Sequence, residues 1–292
     1  MDRSSEIADF LRSRRGGITP EGAGLPADGR IRRVSGLRRD EVARLAGVST
    51  EYYTRLEQGR GGSPSPEVIE ALARALQLNP SEREYLTNLL ASPATARRAP
   101  AGPQRVRPGL HLMLHTLDHV PAFILGRRTD VLAANRLARE VLTDFDALPA
   151  PRRNLALFYL LDPQAREKVG DWERIAAETV AVLRLEAGRH PNDRRLADLV
   201  GELTLKSPEF STWWNDHRVL RRTHGAKSYH HPLVGDLHFA YESFQAPGDD
   251  DQTLCVYNVE PGSETEQALR LLTSWTAPQQ THEPHTPPTG AL

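Results

Sequence analysis

Residues 37–60 read LRRDEVARLAGVSTEYYTRLEQGR, and this stretch decides the first half of the chain. Val42, Leu45 and Ala46 recur at helical spacing and give a first short helix one apolar side. Ala43 is small, where a second helix has to cross closely. Gly47 follows the last periodic residue, the place of a left-handed C-cap, and Ser49 offers its hydroxyl as the N-cap of the next helix. In that second helix Tyr53 and Leu56 face inward, while Thr50, Glu51, Thr54 and Arg55 fall on the opposite side. Such a short, polar, hydrogen-bonding face suits a helix that reads base edges in a major groove.

The motif resembles the Xre or phage-repressor class of helix-turn-helix proteins. It does so through Asp40-Glu41-Val42-Ala43, Leu45-Ala46-Gly47-Val48-Ser49, Tyr53 and Leu56-Glu57-Gln58-Gly59. The resemblance implies base contacts from Thr50, Glu51 and Arg55. It implies a phosphate contact from Arg39, which stands where the class usually carries Gln. Ser49, Tyr52, Thr54 and Arg60 complete the expected DNA-binding set.

Outward from the motif, 6–15 predicts a first helix ended by Gly16-Gly17. The Gly-, Arg- and Pro-rich insertion 18–36 brings Arg30, Arg32 and Arg33 together, either as a solvated loop or as contacts to phosphates or a minor groove. Ser65-Pro66-Glu67 opens a fourth helix and Asn79-Pro80-Ser81-Glu82 a fifth. Residues 1–91 therefore read as an all-α, repressor-like domain. Residues 92–109, without periodicity, read as a linker that leaves two independently folding units.

Composition fits a two-domain chain. The 292 residues carry a formal net charge of −1, so the whole chain is no polyanion binder. The charge is uneven: residues 1–98 hold 16 arginines against 13 acidic residues, and only three lysines occur in all. Positive charge is thus mostly guanidinium, the better bidentate donor. The single cysteine, Cys255, leaves neither an internal disulfide nor a four-cysteine zinc site. The first ten residues have no apolar signal core, and the longest apolar run is 155–161. A cytoplasmic protein with no membrane partner is expected.

Residues 110–276 predict an α+β domain. A helix from Leu110 carries His111, His115 and His119 on one stripe, read as an exposed face rather than a metal site. Two short strands, 122–125 and 131–134, follow, then a helix from Asn135 to Leu142 and an apolar segment, 155–161, of open type. Helical patterns at 171–187, 193–206 and 209–217 precede strands at 218–223, 227–231, 237–244 and 253–258. An amphipathic helix, 263–274, closes the domain, and the Pro-rich 277–292 reads as a disordered tail. Helices between the second and third strands form a roof over one antiparallel sheet.

Val120–Ala138, with Ser207–Val219 and His230–Leu237, resembles the MmyB-like family of bacterial regulators, which pair an Xre-type domain with a PAS-like ligand-binding domain. The resemblance implies a transcription factor that binds a small apolar ligand, such as a fatty acid, and takes no other cofactor. Candidate ligand residues are Phe123, Phe158, Arg184, Trp214, His217, Tyr229 and Phe239. Arg184, in a largely apolar helix, needs a partner: Glu186, Asp193, another acid, or a ligand carboxylate. No catalytic residues and no metal ligands are assigned, since no HExxH, nucleophile elbow or phosphate loop occurs. Two other readings stand beside this one: an enzyme or metal-binding domain with an autoregulatory DNA-binding arm, and a protein-interaction module. One recognition helix reads few base pairs, so a homodimer on a double-stranded operator is expected.

Overall fold

The computed structural model describes residues 3–26, 35–91 and 104–275. The Arg30, Arg32 and Arg33 cluster and the 277–292 tail lie outside them.

The first domain is five helices: α1 (Arg3–Gly16), α2 (Arg39–Ala46), α3 (Thr50–Glu57), α4 (Pro66–Ala75) and α5 (Pro80–Leu90). Gly47 ends α2 at φ 67°, a left-handed conformation that costs other residues a clash with Cβ. The Ser49 hydroxyl accepts the Tyr52 N–H at 3.1 Å and starts α3. Asn79 and Glu82 form a reciprocal cap at the start of α5, each side chain accepting the other's backbone N–H at 3.0 Å. The core gathers Phe10, Leu11, Val42, Tyr53, Leu56, Leu72 and Tyr85, all buried. Leu45, expected on the buried side of α2, is 38% exposed, because Ala46 and Val42 already fill the face toward α4.

The second domain runs α6 (Pro108–Thr116), β1 (Ala122–Leu125), β2 (Val131–Ala134), α7 (Arg136–Val141), α8 (Leu155–Leu161) and α9 (Pro163–Lys168). Then come α10 (Trp172–Arg189), α11 (Arg194–Lys206), α12 (Pro208–Asn215), β3 (His224–His231), β4 (Gly235–Ala246), β5 (Asp249–Asn258) and α13 (Glu264–Trp275). The sheet order is β2-β1-β5-β4-β3, antiparallel throughout. The helices between β2 and β3 cover its inner face, the α+β, PAS-like arrangement that the sequence predicts. The apolar run at 155–161 is a helix, capped by Asn154, whose side-chain oxygen accepts from the N–H groups of Ala156 and Leu157.

Three expectations change. Residues 218–223 form no strand. Their backbone bonds elsewhere: Leu220 N–H to the Ala181 carbonyl at 3.2 Å, and Arg221 N–H to the Ser81 hydroxyl at 3.0 Å. The linker is already engaged at Gln104, whose amide donates to the Asp251 carbonyl and accepts from Arg127 N–H at 3.1 and 3.0 Å. Helix α6 ends at Thr116, so His119 leaves the histidine stripe and lies beside Asp118, exposed.

The two domains also pack against each other. Leu185 of α10 and Val219 belong to the apolar core of the helical domain. Helix α10 crosses α5 at Gly188, where a Cβ would sit 2.5 Å from the Tyr85 ring. Gly188→Ala should therefore push the helices apart and destabilise the full chain by about 1–3 kcal/mol in denaturant unfolding. Gly201→Ala is the control: nothing lies within 4 Å of that Cβ, and the helix α11 should gain up to about 1 kcal/mol. Equal effects at the two sites would mean that the crossing is not tight.

Candidate nucleic-acid interface and ligand site

Helix α3 is held from behind. Tyr53, Leu56 and Glu57 are buried, and the Glu57 carboxylate takes an Arg15 hydrogen bond at 2.6 Å and another from Arg39. Tyr53 donates its hydroxyl to the same carboxylate at 3.3 Å. Burial opposes the charge on Glu57, but the two guanidiniums outweigh it and hold the pKa below the ordinary carboxylate value. With its back fixed, α3 turns Thr50, Glu51 and Arg55 outward, together with Ser49 before it and Arg60 after it. Tyr52 and Thr54 are half-buried at the edge of this face. Arg39 has a double position: its Nε is tied to Glu57, yet its side chain remains 45% exposed.

The seven expected ligand residues do not meet in one cavity. The alternation of β1, β3 and β4 points Phe123, Tyr229 and Phe239 at Tyr257, with ring centroids 5.4, 5.9 and 5.5 Å from it. Phe158 packs edge-on against Phe145. Beneath these rings lies a buried polar ring that sequence reasoning missed. Tyr229 shares hydrogen bonds with Tyr159 and Tyr257 at 2.9 and 3.0 Å, and the Lys227 amine donates to the latter two at 3.2 and 3.0 Å. Burial, reinforced by the nearby Arg222 charge, lowers the Lys227 pKa well below its usual value. Lys227 alternates with Tyr229 and His231 on the inward face of β3, which was the available signal. Phe239 and Lys227 also border an open depression of about 610 Å³ beside Arg174.

Arg184, Trp214 and His217 stand instead at the seam between the domains. Arg184 is 1% exposed and donates to Glu6 of α1 and to the Trp214 carbonyl, with its guanidinium 4.2 Å over the Trp214 ring. Tyr85 of α5 donates to the same Glu6 oxygen. Glu186 and Asp193, the partners considered from sequence, are taken by Arg189 and Arg128 at 2.6 and 2.9 Å. His217 Nδ1 lies 3.6 Å from Glu6, and burial with the Arg184 charge lowers its pKa to about 4. Above that pH it is neutral, so it adds no charge to the seam at neutrality. Trp213 points the other way, onto Trp172 at 5.8 Å.

Two cavities border the seam. One, about 260 Å³, lies between α5, α10 and α11 and is lined by Tyr85, Leu89, Leu196, Ala197 and Val200. The other, about 170 Å³, lies between the inner face of the sheet and α10. Among the described residues no group of three or more His, Cys, Asp or Glu could hold a metal ion, and no helix is long and apolar enough to cross a membrane.

An exposed polar helix on a rigid helical domain, buttressed against a second domain with cavities, defines a helix-turn-helix regulator joined to a ligand-binding module. Residues 6–86 match a helix-turn-helix domain model, and residues 106–272, more than half of the chain, match the MmyB-like transcription regulator ligand binding domain. The chain belongs to the MmyB-like transcription regulators. No curated protein matches it.

Glu57 supplies a pH test. A carboxylate with a lowered folded-state pKa stabilises fully above its ordinary value of 4.5, and that contribution is lost as the pH falls through the folded value. Glu57→Gln should cost about 3–5 kcal/mol near neutrality, because it strands Arg15. The gap between variant and parent should shrink as denaturant unfolding is repeated toward about pH 3. A gap independent of pH would show that the carboxylate charge is not what matters.

Proposed function

We propose that the protein is a sequence-specific transcriptional regulator that binds a double-stranded operator as a homodimer and responds to a small apolar ligand, of which a fatty acid is the type. The observation that supports this most is the two-sided role of α3: an outward polar face, and a back locked by Glu57 to the helix that carries Glu6. Thr50, Glu51 and Arg55 read base edges in this reading. Ser49, Tyr52, Thr54 and Arg60 contact the flanking backbone and edges, and the free edge of the Arg39 guanidinium meets a phosphate. Dimerisation supplies two such helices about 34 Å apart, one duplex turn.

A ligand changes operator affinity only by binding the DNA-competent and incompetent arrangements differently. The seam is the natural element, since the helical domain is held there by named ion pairs. Reciprocity follows: the operator must weaken ligand binding by the same factor as the ligand weakens operator binding, roughly 5–150-fold in common cases.

Arg55→Ala should cost about 1–3 kcal/mol on the operator and relax base preference at one position. Arg39→Ala should weaken all sequences alike and flatten the salt dependence by about one phosphate contact. Both are read by fluorescence anisotropy on operators selected from random duplex DNA. Unchanged affinity and preference in Arg55→Ala would place the reading face elsewhere. Titration of long-chain acids with and without operator tests the switch, and equal affinity in the two titrations would remove it.

A further inference from the structure

The cavity between the sheet and α10 has an unusual border. Its apolar wall includes Leu125, Val182 and Cys255. Its polar lining carries four arginines, 127, 189, 221 and 222, against two carboxylates, Glu186 and Asp251. Glu84 and Glu178, just outside the lining, pair with three of these arginines, so an anion in the cavity has to compete for guanidiniums already matched in charge.

Arg222 is buried and only loosely paired, with its guanidinium 6.0 Å from the centre of the Tyr241 ring. Its side chain is 9% exposed, its nearest carboxylate oxygen, on Glu178, is 3.7 Å away, and its Nε has no hydrogen bond. Its one hydrogen bond goes to the Thr179 hydroxyl at 3.2 Å. A buried guanidinium held this loosely is costly unless something completes it.

Two of the other arginines have a second duty. Arg189 donates to Glu84 of α5 at 2.7 Å, and Arg221 donates to the other oxygen of the same carboxylate. Glu84 therefore clasps the helical domain to the ligand-binding domain through side chains that also border the cavity.

We propose that this cavity binds a small monocarboxylate with a ring-sized apolar body, and that its carboxylate draws Arg189 and Arg221 away from Glu84. This rests on the ligand-responsive reading above and puts a ring-sized acid in place of the long chain. Size sets the class: the cavity is about 170 Å³, and a cavity of about 150 Å³ takes benzene. The acid's apolar body lies against Leu125, Val182 and Cys255, with the carboxylate on Arg222 and its two neighbours. Occupancy loosens one of the clasps that fix the helical domain, while the buried Arg184–Glu6 pair remains.

The test uses the full chain with benzoate and its uncharged isostere benzamide, by isothermal titration calorimetry. Benzoate should bind at least about tenfold more tightly, as a charged hydrogen bond is worth at least that factor. Arg222→Gln should abolish that preference. Glu84→Gln should raise benzoate affinity several-fold and leave benzamide unchanged, since the competitor is gone. In the parent protein, saturating benzoate should speed amide hydrogen exchange in α5. Equal binding of benzoate and benzamide overturns the anion site. Preferential benzoate binding that is indifferent to Glu84→Gln overturns the competition and leaves the ligand reading intact. If only dodecanoate binds, the size assignment is overturned. If none of the three binds, this inference falls, and the apolar-acid reading falls with it.

Discussion

The ion pair between Arg184 and Glu6 is the contact on which the arrangement of the two domains depends. Arg184 sits in the middle of α10, 178 residues away along the chain from its partner. Removing two charges from water costs several kcal/mol per ion, and attraction repays it only when the remaining donors and acceptors are also satisfied. Here Tyr85 and the Trp214 carbonyl do most of that, and the Trp214 ring covers the guanidinium, whose Nε alone has no hydrogen bond. Burial lowers the Arg184 pKa to about 9, still high enough to leave it charged at neutrality. A pair of this kind contributes geometry more than net stability. Only one docking of the helical domain completes it.

Around that pair the seam is graded from dry to wet. Leu185 and Val219 enter the core of the helical domain, so part of the second domain's roof is structural material for the first. Farther out, Glu84 is half-exposed and shared by Arg189 and Arg221, and Arg14 reaches Glu82 and the His217 carbonyl. The Glu84 pairs are partly exposed, and such pairs contribute less each because solvent competes for them. The outer contacts can therefore exchange while the inner pair holds. Such a division suits a hinge better than a simple tether. The motif that faces DNA hangs on the same helix, α1, since Arg15 of α1 supports Glu57 of α3.

Local signals carried much of this in the sequence. Gly47, Ser49 and the Asn79–Glu82 box mark helix ends by chemistry that acts within four residues, and the structure uses each of them. The period of two in Lys227, Tyr229 and His231 marked an inward strand face. What escaped was non-local. The isolated Arg184 demanded a carboxylate, but no periodicity points from α10 to Glu6. Residues 218–223 alternate like a strand, yet their backbone is claimed by Ala181 and Ser81. The aromatics chosen as cavity lining are large and apolar, and the same property that suits a ligand lets Phe123, Tyr229 and Phe239 pack on Tyr257. Composition cannot separate a filled interior from a hollow one. The arginines at the smaller cavity were invisible for a related reason, since they come from three separate segments.

Gly188 bears on how such regulators can diverge. Because the α5–α10 crossing leaves no room for a methyl group beside Tyr85, the two residues form a lock whose halves lie in different domains. A DNA-reading head exchanged between relatives by cutting the chain near residue 104 would carry its own version of position 85 to a foreign position 188. Recombination at that point is permitted by the chain's covalent layout and opposed by its packing. A transplanted head would dock on this sensor only if its side chain at position 85 left Gly188 the same room, or if both sides of the seam changed together.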